Sequence, residues 1–455
     1  MAPSPDIPSM AVLSTFVSSN KADVFKCHSI DEQTFIAPPY ACSYSHGAKR
    51  GLTPHLAVAT EQGTIHILNT SKREDWDAEP QRTSFQPHAN GVFDVRWSLS
   101  DSLLATASGD QSVRITTLAS SVATADRTLH VLHGHQGTVK CVAWDPSHDG
   151  DILCTGGRDG SICLWDLRAG ERRLDNGSLA PVLTVSKAHD DLAKIPKSKS
   201  RGRKLVPNAP LKSITHLLYT DVHPHGIVSS SSFDGIVHLW DVRLPTASPT
   251  KSSRSTKPPR PAPVLTSADP TTAADTRRPR GLTTLALGSG PTAGLLYALS
   301  NDARVHTYAL PTLAPLSGAA PGADPYAFAD PRMQTNSFYV RLAASPCGRW
   351  LASGSVVDGV AGRAYLFDAA AAASARRAWE VGRSSSSSLG AGCTNTGVEL
   401  RGQMGEVGAL DWADGILATC ADDGTVRVWR PDVEIARRCA EESEEMKWEW
   451  SCASA

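Results

Sequence analysis

Histidine, hydroxyl and carboxylate side chains lie close together in one stretch of this chain. His135, Thr155 and Asp159 are the residue types of a hydrolytic triad, in which a base activates a hydroxyl nucleophile. The sequence contains no nucleophile elbow, no HExxH motif, no phosphate-binding glycine loop and no paired carboxylates at a recurring position. The same three residues, with Trp165, can instead form a buried hydrogen-bond network that pins a turn to its strands. We therefore expect a structural role for all four and no catalysis.

The pattern Trp-Asp-x-Arg occurs twice, at Trp165 to Arg168 and at Trp240 to Arg243. Strand alternation places Asp166 beside Arg168, and Asp241 beside Arg243, on the face opposite each tryptophan. An exposed guanidinium fork can bind acceptor groups of a partner protein. Because Asp commonly follows Trp in such repeats and a surface Arg nearby is ordinary, a plain solvent-exposed pair stays an alternative.

A repeated strand-turn-strand unit must position these residues. GGRDGSICLWDLR, from Gly156 to Arg168, predicts a buried strand, a two-residue turn at Asp159 and Gly160 with positive φ at both, and a returning strand. Further copies have turns at Asp110, Asp234 and Asp423, and weaker copies begin near Leu56, Leu295 and Trp350. Seven copies of this WD repeat predict an all-β, seven-bladed WD40 β-propeller. Consecutive blades should then bring both Asp/Arg pairs to one rim, as a contiguous patch.

The repeats leave part of the chain for tails and insertions, since seven blades use about 280 to 315 residues. We place the propeller at residues 35–432, with low-complexity insertions near 190–212, 244–280, 311–333 and 369–398. The insertion at 244–280 is too poor in apolar residues to order itself and is expected to be a surface loop. Residues 1–34 form a tail that could close the ring with a strand, and residues 433–455 an acidic, frayed tail.

Composition narrows the function classes. A formal net charge of −1 excludes a globally basic nucleic-acid binder, although local patches remain possible. The ten cysteines show no CxxC spacing and predict buried free thiols in a reducing compartment, in preference to disulfides or metal ligands, and we expect no metal or cofactor. No apolar run approaches about 18 residues and no leader pattern opens the chain, so neither membrane insertion nor secretion is expected.

Two short motifs lie in the insertions. The basic cluster formed by Lys197, Lys199, Arg201, Arg203 and Lys204 could be read by nuclear import, and a solvated linker is an equal alternative. Ser248, in SPTK, matches the preference of proline-directed kinases, a pattern that also occurs often by chance.

The order of several segments resembles the denticleless family of WD-repeat proteins over roughly Pro38 to Arg430. The matching segments are PPYACSYS, LAVATEQGTIHILNT, HANGVFDVRW, HGHQGTVKCVAWDP, CTGGRDGSICLWDLR, the basic break after AHDD, SFDGIVHLWDVR and NSFYVRLAASPCGRWLASGS. The resemblance implies a non-catalytic, nuclear substrate receptor of a cullin-4 RING ubiquitin ligase. It also implies docking on the large damaged-DNA-binding adaptor subunit through Asp166, Arg168, Asp241 and Arg243.

The resemblance further implies substrates that carry a PCNA-interacting degron and are bound to PCNA. Such substrates are a replication licensing factor, a histone H4 methyltransferase and small cell-cycle inhibitors. Animal members carry a long C-terminal extension, whereas this sequence ends soon after blade seven without a PCNA-binding box, so recruitment through such a tail is not expected. A chromatin-associated WD-repeat scaffold without ligase association is the alternative function, and a propeller hydrolase is disfavoured because no site for it is found.

Overall fold

The computed structural model describes residues 9–30, 35–119, 127–190, 212–243, 261–272, 278–316, 326–356, 359, 361–370, 373 and 396–454. These residues form seven four-stranded antiparallel blades, of which the sixth and seventh are joined into one larger sheet through Ser355 and Val407. The innermost strand of each blade contacts the innermost strands of both neighbours, so the blades close into a ring. The predicted all-β, seven-bladed propeller is confirmed.

Each of the first four blades is built from consecutive strands. In chain order they are β3 (Pro39–Tyr44), β4 (His55–Thr60), β5 (Ile65–Asn69) and β6 (Thr83–Phe85); β7 (Val92–Trp97), β8 (Leu103–Ser108), β9 (Ser112–Thr117) and β10 (Thr128–His133); β11 (Val139–Trp144), β12 (Ile152–Gly157), β13 (Ile162–Asp166) and β14 (Leu183–Val185); β15 (Ile214–Thr220), β16 (Gly226–Ser231), β17 (His238–Asp241) and β18 (Leu265–Thr266).

The remaining blades follow the same plan, except that the last takes its outer strand from the start of the chain. They are β19 (Leu282–Leu287), β20 (Leu295–Ser300), β21 (Arg304–Ala309) and β22 (Ala314–Leu316); β23 (Leu342–Ala344), β24 (Trp350–Ser355), β25 (Ala361–Asp368) and β26 (Val398–Met404); β27 (Val407–Trp412), β28 (Leu417–Ala421), β29 (Thr425–Pro431) and β2 (Val24–Lys26).

The described residues also form short helices and two further strands. The strands are β1 (Phe16–Ser19) and β30 (Trp450–Ser454); the α-helices are α1 (Ser9–Leu13), α2 (His46–Lys49), α3 (Val433–Glu441) and α4 (Ser443–Met446); single 3-10 turns span Gly170–Arg172, Pro270–Thr272 and Gly290–Thr292. None of the helices in these ranges has the length and apolar character needed to cross a bilayer.

The hairpin of blade three differs from the expected two-residue turn. Gly157 and Ser161 close the hairpin through the Gly157 N–H to Ser161 carbonyl hydrogen bond, at 3.1 Å, so the loop has three residues. Only Gly160 has positive φ, at +72°, and Asp159 uses its carboxylate to accept from the Ser161 N–H at 3.0 Å. A three-residue loop with glycine in the left-handed position is a common hairpin form.

The N-terminal segment adds two strands to the last blade. β2 pairs with β29 through Val24 and Arg427, and β1 pairs with both β29 and β30. Phe16 of β1 is fully buried and meets Trp412 edge to face, with ring centroids 5.7 Å apart. Because the first and last described segments share one sheet, the ring is held closed by β-pairing.

The C-terminal residues are not the frayed tail that their acidity predicts. Asp432 caps the N-terminus of α3 because its carboxylate accepts from the Ile435 N–H, and β30 pairs with β1 and with β26. Cys439 of α3 and Cys452 of β30 form a disulfide, so the prediction that all cysteines are free thiols is wrong for this pair. Of the other described cysteines, Cys347 is exposed and the rest are buried and free, as expected: Cys27, Cys42, Cys141, Cys154, Cys163 and Cys420.

The predicted low-complexity insertions also contribute to the fold. β18 lies within 244–280 and forms the outer strand of blade four by pairing with β17. Phe328 and Met333, within 311–333, are buried in the core between blades five and six. The average composition of these segments predicts loops. Parts of them are nevertheless ordered, because a few of their residues pack against or pair with an adjacent blade.

Candidate interaction surfaces

His135, Thr155, Asp159 and Trp165 are brought together in blade three. The His135 ring nitrogens lie 3.2 Å from the Asp159 carboxylate and 2.7 Å from Thr155 Oγ1, and the Trp165 indole N–H donates to the same hydroxyl at 2.9 Å. Thr155 is buried and its hydroxyl is engaged from two sides. In this geometry the hydroxyl has no open approach for a substrate, and the four side chains tie the turn to β12 and β13.

The same network recurs in other blades with changed members. In blade two, His88 bonds to Asp110 at 2.8 Å and to Thr106 at 2.8 Å. In blade seven, the side chain of Gln403 replaces the histidine and accepts from the Thr419 hydroxyl at 2.6 Å. Repetition around the ring supports a structural role for this residue set.

The blade-three network makes stability depend on pH. Burial disfavours the charged imidazole, but hydrogen bonds to Asp159 and Cys163 outweigh burial and raise the pKa of His135 to about 9. Folding thus favours the protonated ring. Its contribution is complete below the unfolded-state pKa of about 6.5 and is lost as the pH rises through about 9.

Asp159→Asn is therefore expected to cost more stability in mild acid than in alkali. The difference in unfolding free energy between the variant and wild type should shrink by roughly 2 to 3 kcal/mol from about pH 6 to about pH 9.5, as read by urea titrations. Asp175→Asn, which changes an exposed carboxylate of the same blade, should give a profile parallel to wild type. A parallel profile for Asp159→Asn would refute the charged His135 pair.

Asp166 with Arg168, and Asp241 with Arg243, form two matching exposed ion pairs. Arg168 Nε and Nη2 each lie 2.9 Å from one oxygen of Asp166, and Arg243 Nε lies 2.9 Å from Asp241. The arginine side chains are 55% and 67% exposed. Hydrogen bonds from the arginines hold the pKa of both aspartates below the usual range. Each aspartate two residues earlier fixes one edge of a guanidinium. The Nη1 atom of Arg168 also lies 3.6 Å from Asp151, and both arginine side chains remain more than half exposed.

Arg243 also borders an apolar groove between blades three and four. The groove has a volume of about 500 Å³ and is lined by Leu164, Leu183, Trp240 and Val264 besides the ion pair of Arg243. Asp166 and Arg168 do not line it. The two ion pairs lie at the same end of β13 and β17, and their union in one contiguous patch stays a prediction.

The opposite ends of β13 and β17 lie beside the mouth of the central channel, which Ser161 and Phe233 help to line. We define the channel mouth by the cavity of about 950 Å³ whose lining includes Phe93, Lys140, Arg158, Lys187 and Phe338. β13 begins directly after Ser161, which lines this mouth, and ends at Asp166 of the ion pair, roughly 17 Å from Ser161 at about 3.3 Å per residue. One blade therefore presents two separate surfaces.

Phe93, Phe338 and Tyr339 form one wall of the channel mouth. Phe93 is stacked on Tyr40 with ring centroids 5.6 Å apart, and the ring centroids of Phe338 and Tyr339 are 4.0 Å apart. The Lys140 ammonium lies 3.6 Å from the Phe338 ring centroid and 4.1 Å from that of Phe93. These distances are within the range of cation-π contact.

These residues were not predicted from the sequence, although the repeat contains a signal for them. Tyr40, Phe93 and Lys140 are each the second residue of the innermost strand of a blade, where the pairing register shifts by one residue. Thr215 and Thr283 occupy the same position in β15 and β19. A β-bulge redirects its extra residue out of the sheet. Aligning the repeats at this position would have singled out the channel mouth.

Several predicted residues lie outside the described residues. They are Ser248 and the basic cluster of Lys197, Lys199, Arg201, Arg203 and Lys204. Within the described ranges, no group of three or more His, Cys, Asp or Glu side chains has the arrangement of a metal site.

Comparison with known proteins supports the repeat assignment. The family described as WD domain, G-beta repeat matches residues 79–116, 126–166 and 395–430. Denticleless protein homolog A of Xenopus laevis is 29% identical over 430 residues, covering 91% of this chain and 51% of the relative. The denticleless protein homolog of Gallus gallus is 28% identical, with coverages of 86% and 47%.

A fungal protein is similar over a comparable stretch. The cell division cycle protein cdt2 of Schizosaccharomyces pombe is 29% identical over 383 residues, covering 82% of this chain and 66% of the relative. The chain spans about half the length of the animal relatives it matches.

Proposed function

Because this chain is a WD-repeat homologue of the denticleless proteins, we propose that it is the substrate-recognition subunit of a cullin-4 RING ubiquitin ligase. The names of the relatives fit a WD40 protein of the cell cycle. The role as a ligase receptor is a more specific proposal than these names support by themselves. The observation that carries it is the pair of exposed arginines, Arg168 and Arg243, each held by an aspartate two residues earlier at the same end of neighbouring blades. An Arg fork fixed in this way is suited to binding carbonyl or carboxylate acceptors on a partner.

The proposed partner at this end of the ring is the large damaged-DNA-binding adaptor subunit, which links the propeller to cullin-4. The apolar groove beside Arg243 offers the adaptor a site for an apolar side chain next to the charged contact. Buried apolar anchors surrounded by polar contacts are typical of the parts of interfaces that carry most of the binding energy.

The channel mouth, at the other end of the same strands, is left free for substrates. The proposed substrates are PCNA-bound degron proteins of replication and the cell cycle: a licensing factor, a histone H4 methyltransferase and small cell-cycle inhibitors. The chain would contribute selection and proximity, while the ligase supplies the RING subunit and charged ubiquitin-conjugating enzyme. This role places the protein in the nucleus and requires no chemistry from its own side chains.

Affinity purification of the tagged chain from nuclear extract tests the assembly. We expect the adaptor and cullin-4 to co-purify in near-stoichiometric amounts. Recovery of the folded chain with chromatin proteins and without either ligase subunit would contradict the proposal and favour a chromatin-associated scaffold.

A further inference from the structure

We propose that the channel mouth binds a peptide segment carrying a carboxylate next to an aromatic or aliphatic side chain. This inference rests on the proposed function only in taking the segment to be part of a substrate. The peptide would lie across the mouth, with its carboxylate toward Lys140, Arg158 and Lys187, which lie in or directly after blade three, and its apolar side chain on the phenylalanines.

The first support is an unbalanced positive charge. Lys140, Arg158, Lys187 and Arg341 line the cavity together with one carboxylate, Asp159. That carboxylate is already used by His135, by the Gln136 N–H at 2.9 Å and by the Ser161 N–H. Arg341 Nη1 lies 3.7 Å from Asp94, below the mouth. Among the described residues, the other three cations have no acidic partner.

Lys140 is the half-buried cation of this group, so the lack of an acidic partner costs it more than it costs the exposed Arg158 and Lys187. Burial, with repulsion from Arg341 and Arg158, lowers the pKa of Lys140 to about 7. The ammonium touches two ring faces and no carboxylate. A carboxylate of the bound peptide would reduce the repulsion between Lys140 and the two arginines, Arg158 and Arg341. It would also give the Lys140 ammonium a hydrogen-bond acceptor.

The second support is the exposed apolar surface beside these cations. Phe338 and Phe233 both line the cavity, and they are 44% and 52% exposed. Exposed aromatic residues around a concavity of this size are typical of peptide-binding sites. Phe338 is also held against Tyr339, so its ring is positioned before a ligand arrives.

Carboxylates near the aromatic wall of the mouth favour a peptide over a nucleic acid. Glu61, Glu406 and Asp422 act electrostatically on Tyr339 of this wall, which we call the acidic edge, and burial raises the pKa of both Glu406 and Asp422. A phosphate backbone crossing the ring would meet these carboxylates after leaving the cations. A peptide can place one acidic side chain at the basic edge and uncharged or basic residues at the acidic edge.

Fluorescence anisotropy with the purified full chain tests the proposal. The probe is a short fluorescein-labelled peptide containing Asp-Phe-Glu between Gly-Ser flanks, compared with its amide counterpart containing Asn-Phe-Gln. Wild type should bind the acidic peptide about tenfold more tightly, the ratio expected for one charge-assisted contact. Lys140→Met, which keeps an apolar stem between the rings, and Arg158→Ala/Lys187→Ala, which changes exposed side chains only, should each lose this preference.

Lys21→Ala/Lys72→Ala removes two exposed lysines that do not line the mouth and should keep the tenfold preference. The proposal would be overturned by any of three results: wild type does not bind the acidic peptide, wild type binds both peptides equally, or both variants keep the preference for the acidic peptide. Tighter binding of a single-stranded oligonucleotide, lost in the same variants, would also overturn it in favour of a nucleic-acid site. Lys140→Met should bind the adaptor as wild type does. Loss of peptide binding at the channel mouth can therefore be distinguished from loss of adaptor binding, which would contradict the proposed receptor function.

Discussion

Replacing Trp165 by alanine is expected to lower the free energy of unfolding by about 3 to 5 kcal/mol. The indole is 1% exposed and packs in the core between blades two and three, so its removal leaves a cavity. Its N–H also donates to Thr155, which bonds to His135, and the substitution leaves this buried network incomplete. Urea titration followed by circular dichroism measures the loss.

Trp76→Ala is the matched control for that measurement. Trp76 is 82% exposed, and its removal should change the unfolding free energy by no more than about 0.5 kcal/mol. A loss below about 1 kcal/mol for Trp165→Ala would show that the core between blades two and three does not depend on this side chain, contrary to the packing described.

Arg168→Ala combined with Arg243→Ala is expected to abolish detectable binding to the purified adaptor subunit while the fold persists. Both side chains are mostly exposed and pair only with aspartates, so their removal should shift the melting temperature by no more than a few degrees. Arg168→Lys with Arg243→Lys should also weaken binding, because an ammonium cannot reproduce the bidentate fork. Isothermal titration gives the dissociation constants.

Arg437→Ala/Arg438→Ala provides the control for loss of two surface charges. These arginines of α3 are comparably exposed and also pair with acidic residues. The control variant should bind the adaptor as wild type does. Undiminished binding by the Arg168/Arg243 variant would move the docking surface away from the two ion pairs.

The ring was predictable from sequence because the repeat encodes its turns and buried strands locally, and in blades two, three and seven a hydrogen-bond network as well. His135, Thr155, Asp159 and Trp165 are fixed by contacts within one blade, and so are the two Asp/Arg pairs. The channel mouth was not predicted because it is assembled from single residues of several blades, such as Phe93, Lys140 and Phe338. The aligned bulge position points to Phe93 and Lys140, but no pattern within a single blade marks them as neighbours.

Elements that depend on distant pairing were also hard to predict. β30 finds partners in β1 and β26, which lie far away in sequence, and an acidic composition alone predicts a frayed end. β18 is only two residues long and becomes a strand because the edge of β17 is available to it. In both cases the segment becomes a strand because a neighbouring strand of the folded protein offers it hydrogen-bond partners. The intrinsic β-propensity of its residues does little to predict this pairing.

Reconstituted ubiquitin transfer tests the receptor assignment most directly. Purified adaptor, cullin-4 and RING subunit, a charged conjugating enzyme and a PCNA-bound degron substrate are combined with wild-type chain, with the Arg168→Ala/Arg243→Ala variant or with no added chain. We expect substrate ubiquitination with wild type and only background with the variant or without the chain. Transfer that proceeds equally in all three reactions, or is absent with a folded wild-type chain, would contradict it.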